Sequence, residues 1–180
     1  MEDLSLHILD IVENCIRAGA KNVEIRINED LKKDLLEIKI HDDGRGMDQK
    51  TIAKATDPFF TTKSVRKVGL GLSLIKQAAR KAGGELYLSS KPGNGTEVKA
   101  TFQHSHIDRQ PLGDIAKTLM ILIIANPEVH FRYFHWKNGR EYQVDSKQLI
   151  DESVETSNTF TKQMDLIRKG VESIRRGEEK

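Results

Sequence analysis

The chain reads as an α+β protein: a two-layer sandwich of helices on one face of a sheet, with a small C-terminal helix and β-hairpin extension. Three observations carry this. Apolar residues from Leu4 to Ala18 recur at helical spacing. Two alternating runs, Val23, Ile25, Ile27 and then Leu36, Ile38, Ile40, follow as an antiparallel hairpin with one buried face. A second helix, beginning near Leu70, leads into a second hairpin, so each sheet face that needs covering has a helix beside it in the chain.

Taken in order, Leu4, Ile8, Leu9, Ile11, Val12, Cys15 and Ile16 form the stripe of an amphipathic first helix, and Gly19 stands where a C-cap glycine ends one. The first two strands are separated by the charged turn Glu29 to Asp34, and the second runs into a glycine-rich turn at Asp43. Residues 49–55 suggest a short helix. Residues 56–68 follow neither period and are rich in Thr, Lys and Arg, the composition of a mobile loop. Helical spacing returns over Leu70 to Ala82, through Leu72, Leu74, Ile75 and Ala78, and stops at Gly83-Gly84. Strands over Glu85 to Ser90 and Thr96 to Phe102 are joined by the turn Lys91-Pro-Gly-Asn-Gly95.

A second unit holds a helix near Leu112 to Ala125, a strand from Val129 to Trp136, the Asn138-Gly139 turn and a strand from Glu141 to Asp145. It either extends the main sheet or covers its edge. From Phe160 on, Met164, Ile167, Val171 and Ile174 repeat at alternating four and three spacing, the seam of a charged docking or dimer helix. The expected division is therefore 1–104 for the main domain, 105–154 for the extension and 155–180 for the charged helix or tail.

Composition narrows the partners. At 180 residues, 37% hydrophobic and 31% charged, the chain supports one ordinary core. Its 29 Lys and Arg nearly balance 27 Asp and Glu, so neither nucleic acid nor an anionic membrane is expected as a partner. A single cysteine, Cys15, lies among apolar residues and reads as a buried, inert thiol. The first residues are acidic and lack an export signal's apolar run. The most apolar stretch, Leu119 to Ala125, is far short of the ~20 residues of a membrane span and reads as the buried face of a helix. A cytoplasmic protein is expected.

Four segments stand in a fixed order: Asp10-Ile-Val-Glu-Asn14; Asp42-Asp-Gly-Arg-Gly46; Asp57-Pro-Phe-Phe-Thr-Thr-Lys63 with Gly69-Leu-Gly-Leu72; and Gly93-Asn-Gly-Thr96. Each alone is an ordinary polar turn or helix face. The glycines flanking Leu70 lack the third glycine and preceding strand of a dinucleotide fold. Together the four resemble the N, G1, F with G2, and G3 boxes of the GHKL family, which includes DNA gyrase, heat-shock chaperones, sensor histidine kinases and MutL. The resemblance spans about Leu4 to Phe102. Its second half looks like a histidine kinase, whereas the first helix and strand look more like MutL.

That resemblance implies a Bergerat ATP-binding fold, with ATP and Mg2+ as ligands. Asn14 would be the Mg2+ ligand, its amide oxygen being a hard, uncharged donor suited to an ion that keeps waters and phosphate oxygens. Asp10, four residues earlier on the same helix face with His7 and Arg17 nearby, would be the catalytic carboxylate. Asp42 would accept the adenine amino group, with Thr96 completing the contact; a carboxylate only accepts, so it selects an amino group over a carbonyl. Gly44 and Gly46 would let the backbone turn against the base, beside Met47. Gly69, Leu70, Gly71 and Leu72 would open a helix onto the phosphates. Lys63 and one of the two threonines, Thr61 or Thr62, would face the γ-phosphate from the preceding loop, with Phe59 and Phe60 anchoring that loop.

Two uses of ATP follow. The first is an ATP-dependent protein kinase or phosphotransferase, of histidine-kinase or anti-sigma type, acting on a separate protein. The second is an ATP-gated interaction switch with slow hydrolysis, MutL-like. Many histidine autokinases resemble one another in carrying an asparagine where this chain has Asp10, and the hydrolytic and serine-kinase branches carry a glutamate. Glu13 projects at another angle and reads as a surface charge. The segment His106-Ile-Asp-Arg-Gln-Pro111-Leu resembles a phosphoacceptor box, but Ile107 stands where the acid belongs, and Pro111 fits a linker leading into a helix. His104, His130 and His135 have no ligand spacing and read as ordinary surface or strand histidines. The partners expected are ATP, a protein substrate or regulator, and a second copy through the C-terminal helix.

Overall fold

A computed structural model describes residues 3–56, 71–151 and 159–175. The elements run α1 (Leu4–Arg17), β1 (Asn22–Asp30), β2 (Leu35–Asp42), α2 (Gln49–Lys54), α3 (Gly71–Lys81), β3 (Leu86–Ser90) and β4 (Thr96–Gln103). They continue with α4 (Ile115–Ala125), β5 (His130–Lys137), β6 (Arg140–Asp145), α5 (Ser146–Asp151) and α6 (Thr159–Arg175). The strands form one six-stranded sheet in the order β3-β4-β2-β1-β5-β6.

The alternating runs behave as their period requires. Val23, Ile25 and Ile27 on β1, Leu36, Ile38 and Ile40 on β2, Val98, Ala100 and Phe102 on β4, and Phe131 and Tyr133 on β5 are all buried. The helices cover this face: α3 packs on β3 and β4, α1 lies between α3 and α4, and α6 closes the layer over β5 and β6. The opposite face carries polar residues such as Arg26 and the Lys39–Glu97 ion pair. This is the α+β two-layer arrangement that the sequence predicts.

Helix starts follow their caps. Asp3 accepts the Leu6 amide at the head of α1, and Asp114 accepts the Lys117 amide at the head of α4. The Asp114 cap is why α4 begins at Ile115 and not near Leu112. Leu119, Met120, Leu122 and Ile123 point into the core, as expected of that apolar stretch. Helix α5 was not foreseen: the sequence reading assigns no element after the strand that ends at Asp145.

The C-terminal hairpin extends the sheet. Strand β5 pairs in parallel with β1, with Ile25 opposite Tyr133 and Ile27 opposite His135. A buried polar cluster bolts it there. Glu29 on β1, 5% exposed, meets His135 Nε2 at 2.9 Å and His104 Nε2 at 2.8 Å, with Lys137 Nζ at 3.6 Å. Tyr133 in turn lies 3.0 Å from His135 Nδ1. Burial alone would raise the Glu29 carboxyl; hydrogen bonds from the two histidines and the Lys137 ammonium more than offset it, bringing it down to about 2. His104 and His135 are thus structural grips, a role their spacing does not reveal.

The seam on α6 is spent inside the chain: Ile167, Val171 and Ile174 are buried as the helix packs on α4, β5 and β6. The helix therefore docks on its own chain. The segment around His106 is a set of turns, His106 N–H donating to Gln103 and Arg109 N–H to His106. No described helix is long and apolar enough to cross a membrane.

Candidate functional site

One end of the sheet, under the C-terminal half of α1, gathers the predicted residues. Register sets a cross-strand row on the covered face: Ser90 on β3 opposite Thr96 on β4, Thr96 opposite Asp42 on β2, and Asp42 opposite Val23 on β1. Asp42 is 2% exposed. Its Oδ1 accepts the Gly44 amide at 2.8 Å. The Cys15 thiol of α1 faces the same carboxylate; burial first, and then the charge and hydrogen bond of Asp42, push that thiol well above its ordinary value. Cys15 is therefore protonated and inert, as its apolar setting predicts, yet it helps hold the acid.

The turn after β2 is bound on three sides. Asp43, beyond the strand end, accepts from the Lys21 and Asn22 amides at 2.8 and 2.9 Å and from Asn22 Nδ2 at 2.6 Å. Burial opposes the Asp43 charge, but these donors more than offset it and hold the carboxyl below its usual range. Arg45 N–H donates to Ala18 O at 3.0 Å, tying the turn to the end of α1, and its carbonyl accepts from Gly93 at 2.8 Å. Two glycines are obligatory. A Cβ on Gly46, at φ +67°, would stand 2.0 Å from Lys91 O, and one on Gly95, at φ +75°, would stand 1.8 Å from Asp42 O. Met47 is half-buried here, its amide donating to Ser90 Oγ at 2.8 Å.

The polar face of α1 meets the start of α3. Asp10 and Asn14 are half-buried, and a Cβ on Gly71 would lie 2.3 Å from Asp10 Oδ2 and 3.6 Å from Asn14 Nδ2. The absence of a side chain at Gly71 is what lets the carboxylate stand against the first turn of an eleven-residue helix, whose positive dipole end favours anions. Leu72, next in that turn, packs against the core. One turn before Asp10, His7 is buried with Nε2 on Gln110 Oε1 at 2.9 Å and no described partner for Nδ1. Burial lowers its pKa, against smaller opposing effects from Gln110, Asp10 and Asp3, so it is neutral near pH 7.

One described side-chain oxygen has the hard, uncharged character that a magnesium ion takes. Asn14 Oδ1 is a hard oxygen, now accepting from Arg17 Nη2 at 2.7 Å; Arg17 is exposed and also pairs with Glu13 at 3.2 Å, so it can swing away. No group of three or more His, Cys, Asp or Glu able to hold a metal exists among the described residues. An ion that takes most of its ligands from water and phosphate needs none.

The structure thus brings together Asp10, Asn14, Asp42, Gly44, Gly46, Met47, Gly71, Leu72 and Thr96. Phe59, Phe60, Thr61, Thr62, Lys63, Gly69 and Leu70 lie outside the described residues, as does the rest of the expected loop from residue 57. Sequence reasoning included Asp43 and Gly95 in their segments without giving either a role, and it missed Ser90. Gly95 was legible as a turn glycine, whereas Ser90 is a lone serine at a strand end and gives no signal before its register is known.

A sequence profile described as "Histidine kinase-, DNA gyrase B-, and HSP90-like ATPase" matches residues 2–106. The chain belongs to this GHKL ATPase family. Among its relatives, the sensor protein kinase FleS of Pseudomonas aeruginosa is 40% identical over 89 residues, which are 49% of this chain and 22% of FleS. The non-motile and phage-resistance protein of Caulobacter vibrioides is 30% identical over 112 residues, 57% of this chain and 13% of that protein. This GHKL chain therefore spans only a minor part of these relatives. In three dimensions it is similar to the Aquifex aeolicus MutL ATPase domain complexed with ADP, with TM-score 0.55 and 18% identity over 92% of this chain and 70% of that one. It is also similar to the N-terminal domain of a DNA repair protein, with TM-score 0.56 and 17% identity over 80% and 52%. Both likenesses concern the GHKL fold.

Proposed function

We propose that this GHKL protein binds Mg-ATP in the cytoplasm and transfers its γ-phosphate to a separate protein. The observation that carries the reading is the convergence of three groups with different chemistry. Asp42, an acceptor at the buried end of β2, suits an adenine amino group. The head of α3 suits phosphates. Asn14 and Asp10 lie between them on α1, one able to take a metal and the other a proton. When bound, the ion would neutralise phosphate charge; Asn14 would hold it. The chain's own contribution is to fix the base through Asp42, to lead the phosphates onto the α3 amides, and to present Asp10 as the proton acceptor for the attacking hydroxyl or water. The sensor-kinase relatives favour a protein as acceptor.

A second reading rests on Asp10 itself. A carboxylate four residues before Asn14 can activate water, so ATP hydrolysis could reset an interaction switch. Incubation with γ-labelled ATP and a lysate of the source organism separates the two. Label on another protein supports the kinase, and free phosphate alone supports the switch. No ATP binding at millimolar concentration would sink both.

A further inference from the structure

Helix α4 is apolar on more sides than its own chain covers. Of its eleven residues only Lys117 and Thr118 are polar. Leu119, Met120, Leu122 and Ile123 fill the core, while Ile121 and Ile124 stand 44% and 51% exposed. A helix that is apolar all round belongs inside something larger or inside a membrane. Eleven residues reach only about 16 Å, roughly half a bilayer core, so α4 does not span one. Helices α1 and α6 flank α4 without covering its outer face, and each exposes a leucine of its own, Leu6 and Leu166.

The exposed residues have an order. Lys117, Ile121 and Ile124 follow one another at four and three, the spacing of a helix-to-helix seam, and Glu128 comes four later in the turn beyond the helix end. These intervals read the same in both directions, with opposite charges at the two ends. Lys117 and Glu128 are exposed, and neither charged group has a partner among the described residues. Laid antiparallel on a copy of itself, the stretch sets Ile121 against Ile124 of the second copy and Lys117 against its Glu128. Laid parallel, it would set lysine on lysine and glutamate on glutamate. We infer that two copies of this chain pair through α4, antiparallel, in a contact that closes on two subunits. The seam expected to do this on α6 is buried within the chain, and α4 takes its place. The inference is independent of the nucleotide reading.

Analytical ultracentrifugation of the full chain tests it. A seam of about three turns makes a small, reversible interface, so wild type should pass from monomer to dimer between about 5 and about 500 µM. Ile121→Glu and Ile124→Glu, at exposed positions, should each weaken the dimer about a hundredfold or more while circular dichroism melts stay near wild type. Lys117→Glu and Glu128→Lys should each weaken it about tenfold by bringing like charges together, and the two combined should restore wild-type affinity. Should an isoleucine variant unfold, the charge exchange carries the test alone, since it leaves the core untouched. A dimer that survives both isoleucine substitutions forms elsewhere, and the inference falls. It falls too if the combined exchange fails to rescue the single ones, because the pair is then not antiparallel through α4. A wild type that stays monomeric throughout also overturns it, and leaves the seam to a different protein.

Discussion

Asp10 Oδ2 lies where a Gly71 side chain would begin: a Cβ built there is 2.3 Å away, across the gap between α1 and α3. The obstacle is the end of a side chain, so the fold can yield at small cost while the carboxylate cannot keep its place. Gly71→Ala is therefore expected to melt within about 1 kcal/mol of wild type. Its ATP turnover should fall about tenfold or more, because a displaced base loses its geometry. Thermal melts and phosphate release measure the two separately.

Removing the charge without moving the atoms tests the role directly. Asp10→Asn should lower turnover by roughly a hundredfold to ten-thousandfold while changing nucleotide affinity only severalfold. Turnover that survives the substitution would remove Asp10 from the chemistry.

The turn glycines offer a matched pair. Gly93 and Gly95 both have positive φ, +77° and +75°, but a Cβ on Gly93 meets nothing within 4 Å, whereas one on Gly95 strikes the Asp42 carbonyl at 1.8 Å. Gly93→Ala should cost only the left-handed backbone penalty, about 1 kcal/mol. Gly95→Ala should cost about 3 kcal/mol or more and abolish nucleotide binding, since the backbone of the Asp42 strand must shift. Urea unfolding and calorimetry distinguish them.

The Glu29 cluster predicts a pH dependence remote from the site. Its carboxyl sits near 2 in the fold against an ordinary 4.5, so the stabilisation is complete above about pH 4.5 and is lost as pH falls toward 2. Glu29→Gln should flatten that acid limb in urea unfolding series. It should also cost about 3 kcal/mol at pH 7, because His104, His135 and Lys137 lose the charge they share. An unchanged acid limb would show that other carboxylates set it.

Much of the fold was legible because its signals are local. The stripe from Leu4 to Ile16, the alternation in Val23 to Ile27 and Leu36 to Ile40, and the Lys91 to Gly95 turn each fall within one element or one loop, where period and turn chemistry act. Asp10, Asn14 and Asp42 were legible as candidates because four short segments, in order, resemble the boxes of the GHKL family. Helix α5 was not.

The sequence by itself determined most of the elements, their apolar faces and the chemical kinds of group available to a nucleotide. Tertiary structure decided who stands beside whom. The destination of β5, parallel to β1, depends on which buried face it completes, and two histidines far apart in the chain close on Glu29 only after that pairing. The Ser90–Thr96–Asp42 row exists because three strands share one register. A hydrogen bond depends on distance and angle between residues remote in sequence, which no local period encodes.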